Sequence, residues 1–185
     1  MFKRLLVKLA KELDNNNIPY MIIGGQAVLL YGEPRLTRDI DITLGLEPDE
    51  WNQISEITDE LNLKILVDNP QEFIRKTMVL PVLEEESEIR VDFIFSFSEY
   101  ERSALKRINK VDIENYQVNF ASLEDVVIHK IVSGRPRDIE DVKIILLKNE
   151  TYNSKYIEKW LSKFDESLNE DFLKTFINIV EYISK

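Results

Sequence analysis

The sequence predicts an α+β fold, a mixed sheet with interspersed helices followed by a C-terminal helical bundle. Two observations predict it. Up to residue 121 the apolar spacing switches repeatedly between the helical and the strand period, whereas from Ser122 onward only the helical period remains. The chain of 185 residues is 44% hydrophobic, enough for one compact unit with a small helical appendage and too little for two ordinary independent cores. The expected organisation is therefore an α/β core over residues 1–121 with a helical region, 122–185, packed on it.

Each element follows from local signals. Residues 2–15 carry Phe2, Leu5, Leu6, Leu9 and Leu13 on one helical face and end in three asparagines. Ile18 to Ile23 reads as a short strand and Gly25 to Tyr31 as a helix closed by Gly32 and Pro34. Asp39 to Leu44 is a strand, and Pro48 to Leu61 a helix opened by Pro48, Asp49 and Glu50. Leu63 to Val67 is a weaker strand and Pro70 to Met78 a short helix. Val79 to Leu83 and Ile89 to Ser96 are strands joined by an acidic turn, Ser98 to Lys106 is a helix, and Val111 to Phe120 is an extended pair or bent strand around Glu114-Asn115. Residues 122–133 and 138–148 predict two helices. Tyr156, Ile157, Trp160, Leu161 and Phe164, then Phe172, Leu173, Phe176, Ile177, Val180 and Ile183, mark two more, with the aromatic residues as core.

Composition narrows the function. The chain has no cysteine, which leaves no disulfide framework and no thiolate metal site. Its opening MFKRLLVKLAKELDNNN is too charged for a signal peptide or membrane span, so the expectation is a soluble cytoplasmic protein without membrane contact. A net charge of -10 argues against sequence-independent adhesion to nucleic acid or anionic lipid. Local basic clusters remain: Arg35 with Arg38; Arg102, Lys106, Arg107 and Lys110; and Lys130, Arg135 and Arg137.

The stretch IIGGQAVLLYGEPRLTRDIDITL, residues 22–44, holds the chemistry. Alternation along a strand puts Asp39 and Asp41 on one face, roughly 6–7 Å apart at two rises of ~3.3 Å. Two unpaired carboxylates in one dry site raise each other's pKa, a conflict that a shared dication removes. Gly24 and Gly25 stand where a strand hands over to a helix, a place where missing side chains let a phosphate approach backbone N–H groups. Each feature also has a purely structural explanation, a tight turn for the glycines and a solvated strand face for the aspartates, although Asp is depleted in strands. A third carboxylate strengthens the metal reading. In IRVDFIFSF, Val91, Phe93 and Phe95 share one face, and Asp92 stands on the other beside Arg90 and Ile94. If that strand lies next to Asp39–Leu44, the three aspartates converge on a site for one or two Mg²⁺ ions. Arg35 and Arg38 lie in the loop that borders it.

The order strand, Gly-Gly, helix, TRDIDI, later strand with a single Asp resembles the nucleotidyltransferase superfamily to which DNA polymerase beta and the minimal nucleotidyltransferases belong. GGQAVLLYG, TRDIDI and HKIVSGRPRDIEDV resemble more narrowly the AbiEii-like toxins of abortive-infection toxin–antitoxin pairs, over about residues 18–148. The resemblance implies that Gly24 and Gly25 hold a nucleoside triphosphate, that Asp39 and Asp41 bind the metals, and that Asp92 completes the site as ligand and base. It implies an acceptor that is an RNA end such as tRNA, a protein or a small molecule, and an antitoxin partner. A second glycine replaces the Gly-Ser of many members, removing a hydroxyl but leaving the backbone donors. The competing expectation is a non-catalytic nucleotide- or partner-binding protein that retains the fold, and the weakest is a structural domain with a chance motif.

Lys130 falls on the apolar stripe of the helix that starts near Ser122. There a lysine either snorkels to water or reaches an anionic group inside the fold, and in the resembling toxins a lysine on this helix contacts the triphosphate. His129 points away from that stripe. Asp138 and Asp141 make a cap pattern for the next helix, and Arg135 and Arg137 just ahead of it serve either phosphate or neighbouring carboxylates.

Overall fold

A computed structural model of the chain describes residues 2–34, 36–96 and 98–184. The chain divides into two compact units, Met1–Gln26 with Leu36–Ala121, and Ala27–Arg35 with Ser122–Lys185. The architecture is α+β, as the alternation of spacings predicts.

The first unit holds a seven-stranded mixed sheet, with strands β1 (Tyr20–Ile22), β2 (Asp39–Leu44), β3 (Lys64–Ile65), β4 (Val79–Glu84), β5 (Ile89–Phe95), β6 (Asn109–Ile113) and β7 (Tyr116–Phe120). Their order across the sheet is β3-β4-β5-β2-β1-β7-β6. β2 runs parallel to β5, and β1 parallel to β7; the remaining pairs are antiparallel. The inner strands bury Ile40, Ile42 and Leu44 of β2 and Val91, Phe93 and Phe95 of β5. Period-two alternation then forces Asp39, Asp41, Arg90 and Asp92 onto the opposite face.

Turn chemistry sets the register at the edges. Glu114 and Asn115 both take positive φ, 51° and 63°, the left-handed pair of a tight hairpin turn. The extended stretch around them is thus the β6–β7 hairpin. Glu84 closes the acidic turn between β4 and β5 by accepting from the Ser87 amide at 2.7 Å, with a bond from the Ser87 hydroxyl as well.

Helix α1 (Phe2–Asn15) buries Leu5, Leu6, Leu9 and Leu13 and packs on β7. α2 (Gly24–Tyr31) follows β1 directly, and the boundary between the units falls within it. The helix expected over Pro48–Leu61 is broken into a 3₁₀ turn, Pro48–Glu50, and α3 (Asn52–Glu60). The reason is local: Glu50 reaches back to the Glu47 amide at 2.8 Å, so the first turn is closed as a capping box of its own. α4 (Pro70–Thr77) ends at Met78 in the left-handed region, and α5 (Glu99–Ala104) is capped by Ser98.

In the second unit α6 (Leu123–Ser133) packs against α7 (Pro136–Lys148), α8 (Ser154–Leu168) and α9 (Phe172–Ile183). Ser122 caps α6 and Gly134 ends it at φ 64°. Val127, Ile128, Ile131, Val142, Ile145, Ile157, Leu161 and Phe176 form its core. Of the aromatic stripe, Trp160 and Phe176 are buried, while Phe164 and Phe172 are half-buried. Residues 27–34 join this unit through Asn149, which donates to the Tyr31 carbonyl at 2.8 Å, and Lys148, which donates to that of Gly32 at 3.1 Å. Among the described residues no helix is long and apolar enough to cross a membrane.

Candidate active site

The β2–β5 pairing builds the site. In the parallel register Asp41 stands opposite Asp92, and Asp39 opposite Arg90. Neighbouring strands lie about 4.8 Å apart, so the three aspartates share one patch of one sheet face. Asp41 and Asp92 are half-buried; Asp39 and the preceding Arg38 are exposed. Arg35 lies outside the described residues.

Gly24 is where sequence and site meet. Its φ is +62°, and a Cβ there would sit 1.8 Å from Asp41 Oδ2. The missing side chain therefore makes room for the Asp41 carboxylate, which lies against the first turn of α2. Gly25 follows in that turn and is buried. Gln26, also buried, donates from Nε2 to the Thr37 hydroxyl. That bond ties the start of α2 to the loop that delivers Arg38 and Asp39.

Gly24→Ala is consequently expected to lower stability by about 1–2 kcal/mol, the cost of holding an L-residue in the left-handed region, and to displace Asp41. Urea denaturation of Gly24→Ala, Asp41→Gly and the double variant checks this. Strong non-additivity, with the double variant less destabilised than the sum, is the expected sign of the contact. Additive costs would mean that Gly24 answers only to its backbone angle.

Asp92 does not point freely. It accepts from Arg90 Nε at 2.9 Å. Among the described residues no three Asp, Glu, His or Cys side chains are drawn together closely enough to hold an ion as they stand. Sequence reasoning placed Arg90 on this face without giving it a task; the signal was its spacing, two residues ahead of Asp92 on a strand. Gln26 carried no signal, because its partner Thr37 is eleven residues away across the loop.

Lys130 lies in the second unit and is buried. Its ammonium contacts Asp138 Oδ1 at 2.5 Å and Asp141 Oδ2 at 3.1 Å. Asp138 accepts further from Ser133 Oγ at 2.9 Å and Arg135 Nε at 2.6 Å. Burial pushes the Asp138 pKa up, but the bonds from Lys130, Arg135 and Ser133 outweigh it and hold the group below the ordinary carboxylate value. The expected cap at Asp138 is corrected: α7 begins at Pro136 with Arg135 in the cap position, since proline suits a first-turn site whose N–H has no partner. Asp138, inside that turn, is left to bind Lys130. Arg137 lines a cavity of about 230 Å³ with Val28, Glu33, Pro34, Glu140, Asp141 and Ile144. His129 is half-buried.

A family model described as "Nucleotidyltransferase of unknown function (DUF6036)" matches residues 2–182. The chain belongs to this family. The match covers both units and agrees with the superfamily that the Gly-Gly and Asp-x-Asp motifs resemble. None of the curated proteins matches the chain. Among solved structures, the chain is similar to the antibiotic-resistance factor ANT(2'')-Ia, with a TM-score of 0.63 at 16% identity over 90% of this chain and 92% of that one. It is similar to an antigenic nucleotidyltransferase-like protein from Paracoccidioides brasiliensis, with a TM-score of 0.56 at 18% identity over 89% and 87%. The lincosamide antibiotic adenylyltransferase LnuA gives a TM-score of 0.50 at 16% identity over 72% and 89%. At such identities the likeness is one of fold.

Proposed function

We propose that this member of the family transfers a nucleoside monophosphate from a nucleoside triphosphate to an acceptor hydroxyl in a Mg²⁺-dependent reaction. The observation that carries the proposal is the register that sets Asp41 opposite Asp92 with Asp39 on the same face. The donor set suits the ion, since all three groups are hard carboxylate oxygens, and the cradle at Gly24 keeps Asp41 seated where a Cβ would evict it. Asp39, Asp41 and Asp92 would hold Mg²⁺. Bound there, the metal would supply charge stabilisation at the phosphoryl oxygens.

The chain's own residues do the rest. The first turn of α2, from Gly24 and Gly25, offers backbone N–H groups to the triphosphate, and exposed Arg38 offers it a guanidinium. Asp92 accepts the proton of the acceptor hydroxyl as its oxygen bonds to the α-phosphorus and the bond to the pyrophosphate oxygen breaks. Lys130, which the resemblance assigns to the triphosphate, stays outside this proposal, because its ammonium already serves two carboxylates.

For the acceptor, the charge of -10 favours a small or cationic molecule over a long RNA. ANT(2'')-Ia has been seen with adenylyl-2''-tobramycin. The toxin role, with a tRNA or protein acceptor and an antitoxin partner, rests on the AbiEii-like motifs alone. One experiment separates these readings. The protein is incubated with each α-³²P-labelled triphosphate, Mg²⁺, and separately total RNA, lysate protein and an aminoglycoside or lincosamide panel. Label is expected in one acceptor fraction and absent with Asp41→Asn. Tight triphosphate binding with no labelled product in any fraction would favour the non-catalytic reading, and growth arrest on expression, relieved by Asp41→Asn, would favour the toxin.

A further inference from the structure

The residue of the site that no motif explains is Arg90. It stands two positions before Asp92 on β5, on the same face, and directly opposite Asp39 in the register. Its side chain is 53% exposed, whereas that of Asp92 is 17% exposed. Such a half-solvated ion pair contributes little to folding, so stability is a poor reason for it. The bond uses Nε, one of the five N–H donors of the guanidinium. Position and geometry suit a different task. Three carboxylates on adjoining strand positions repel one another until a cation joins them, and one fixed guanidinium offsets part of that repulsion while setting the direction of the third carboxylate.

We propose that Arg90 is the positioning residue of the nucleotidyl-transfer site: it holds Asp92 toward the acceptor and balances the aspartates' charge before the divalent ion binds, at the expense of weaker ion binding. This rests on the function proposed above. Two consequences have opposite signs. Removing the guanidinium frees the Asp92 oxygen and takes a positive charge away from the ion, so divalent affinity rises. The same change lets Asp92 swing, so turnover falls. A merely structural arginine would lower both together.

The test uses the whole chain as wild type, Arg90→Gln and Arg90→Lys, with Mn²⁺ as probe ion, titrated by electron paramagnetic resonance and calorimetry without nucleotide. Arg90→Gln is expected to bind Mn²⁺ about three- to tenfold more tightly, the scale of a unit charge several Å from a dication at partly solvated dielectric. Its melting temperature should stay within a few degrees of wild type. Nucleotidyl transfer should fall about tenfold or more in kcat, with little change in KM for the triphosphate. Arg90→Lys is expected to restore the wild-type Mn²⁺ affinity, because it restores the charge, but not kcat, because an ammonium lacks the planar fork that orients a carboxylate. Wild-type Mn²⁺ binding with unchanged affinity and kcat in Arg90→Gln would overturn the role of Arg90 alone. Wild type that binds no Mn²⁺ would overturn the proposed function and this inference with it. Marked loss of melting temperature in both variants would make Arg90 structural, which also overturns it.

Discussion

Lys130→Ala is expected to destabilise the protein by about 3–5 kcal/mol, the cost of breaking a buried ion pair from one side. The lysine is buried between Asp138 and Asp141, and its removal takes the ammonium away from two buried carboxylates of the second unit. Arg135 and Ser133 still serve Asp138. Replacing the whole cluster, Lys130→Met with Asp138→Asn and Asp141→Asn, should recover a large part of the cost, because the charges that lost their partner are gone as well. Urea denaturation of the three proteins at pH 7 checks this.

The pH dependence has a definite sign. The folded-state pKa of Asp138 is held below its ordinary value of 3.8. A depressed carboxylate contributes stability that is fully present above the unfolded pKa and is lost as pH falls through the folded one. The wild type should therefore lose this contribution on acidification from about pH 4 downward. In Lys130→Ala burial acts on Asp138 with its largest opponent removed, so the gap between variant and wild type should narrow in acid. An unchanged denaturation midpoint in Lys130→Ala, together with weakened triphosphate binding, would instead restore the lysine to the nucleotide site that the motif resemblance implies.

Asp41→Asn should cost transfer more than about 100-fold while leaving the fold in place. Losses of 10–100-fold accompany changes to groups that merely support a metal ligand, and Asp41 stands opposite Asp92 of β5 with its carboxylate in the space that a Cβ at Gly24 would fill. Asn keeps the volume against Gly24, so packing is preserved, and removing one of three like charges relieves repulsion in the metal-free state. Mn²⁺ titration and differential scanning fluorimetry on the same sample separate the outcomes. Lost ion binding with an unchanged or raised melting temperature is expected; a collapse in melting temperature would show that the aspartate serves the sheet instead.

What the chain announces by itself is governed by local periodicity and by costs paid wherever the segment ends up. The alternation in Asp39–Leu44 and Ile89–Phe95 decided which face each side chain takes, because a strand's period of two belongs to its backbone. The bend around Glu114-Asn115 belongs to the same class, whereas the start of α7 does not: the local pattern puts a cap at Asp138, and the cap position is taken three residues earlier by Arg135. No segment could state by itself that β2 lies parallel to β5 with Asp41 opposite Asp92, since that register is set by pairing between strands some fifty residues apart. The same holds for Gly24, whose need for a hydrogen in place of a Cβ comes from the carboxylate of Asp41 and not from the turn alone. It holds for Arg90, whose neighbour in the sequence was visible but whose bond to Asp92 depends on rotamers. Lys130 makes the point most sharply. Its helical position marked it as a cation facing inward, but the anion it meets is supplied by the next helix, and only packing in three dimensions decides which of several available anions a buried ammonium will take.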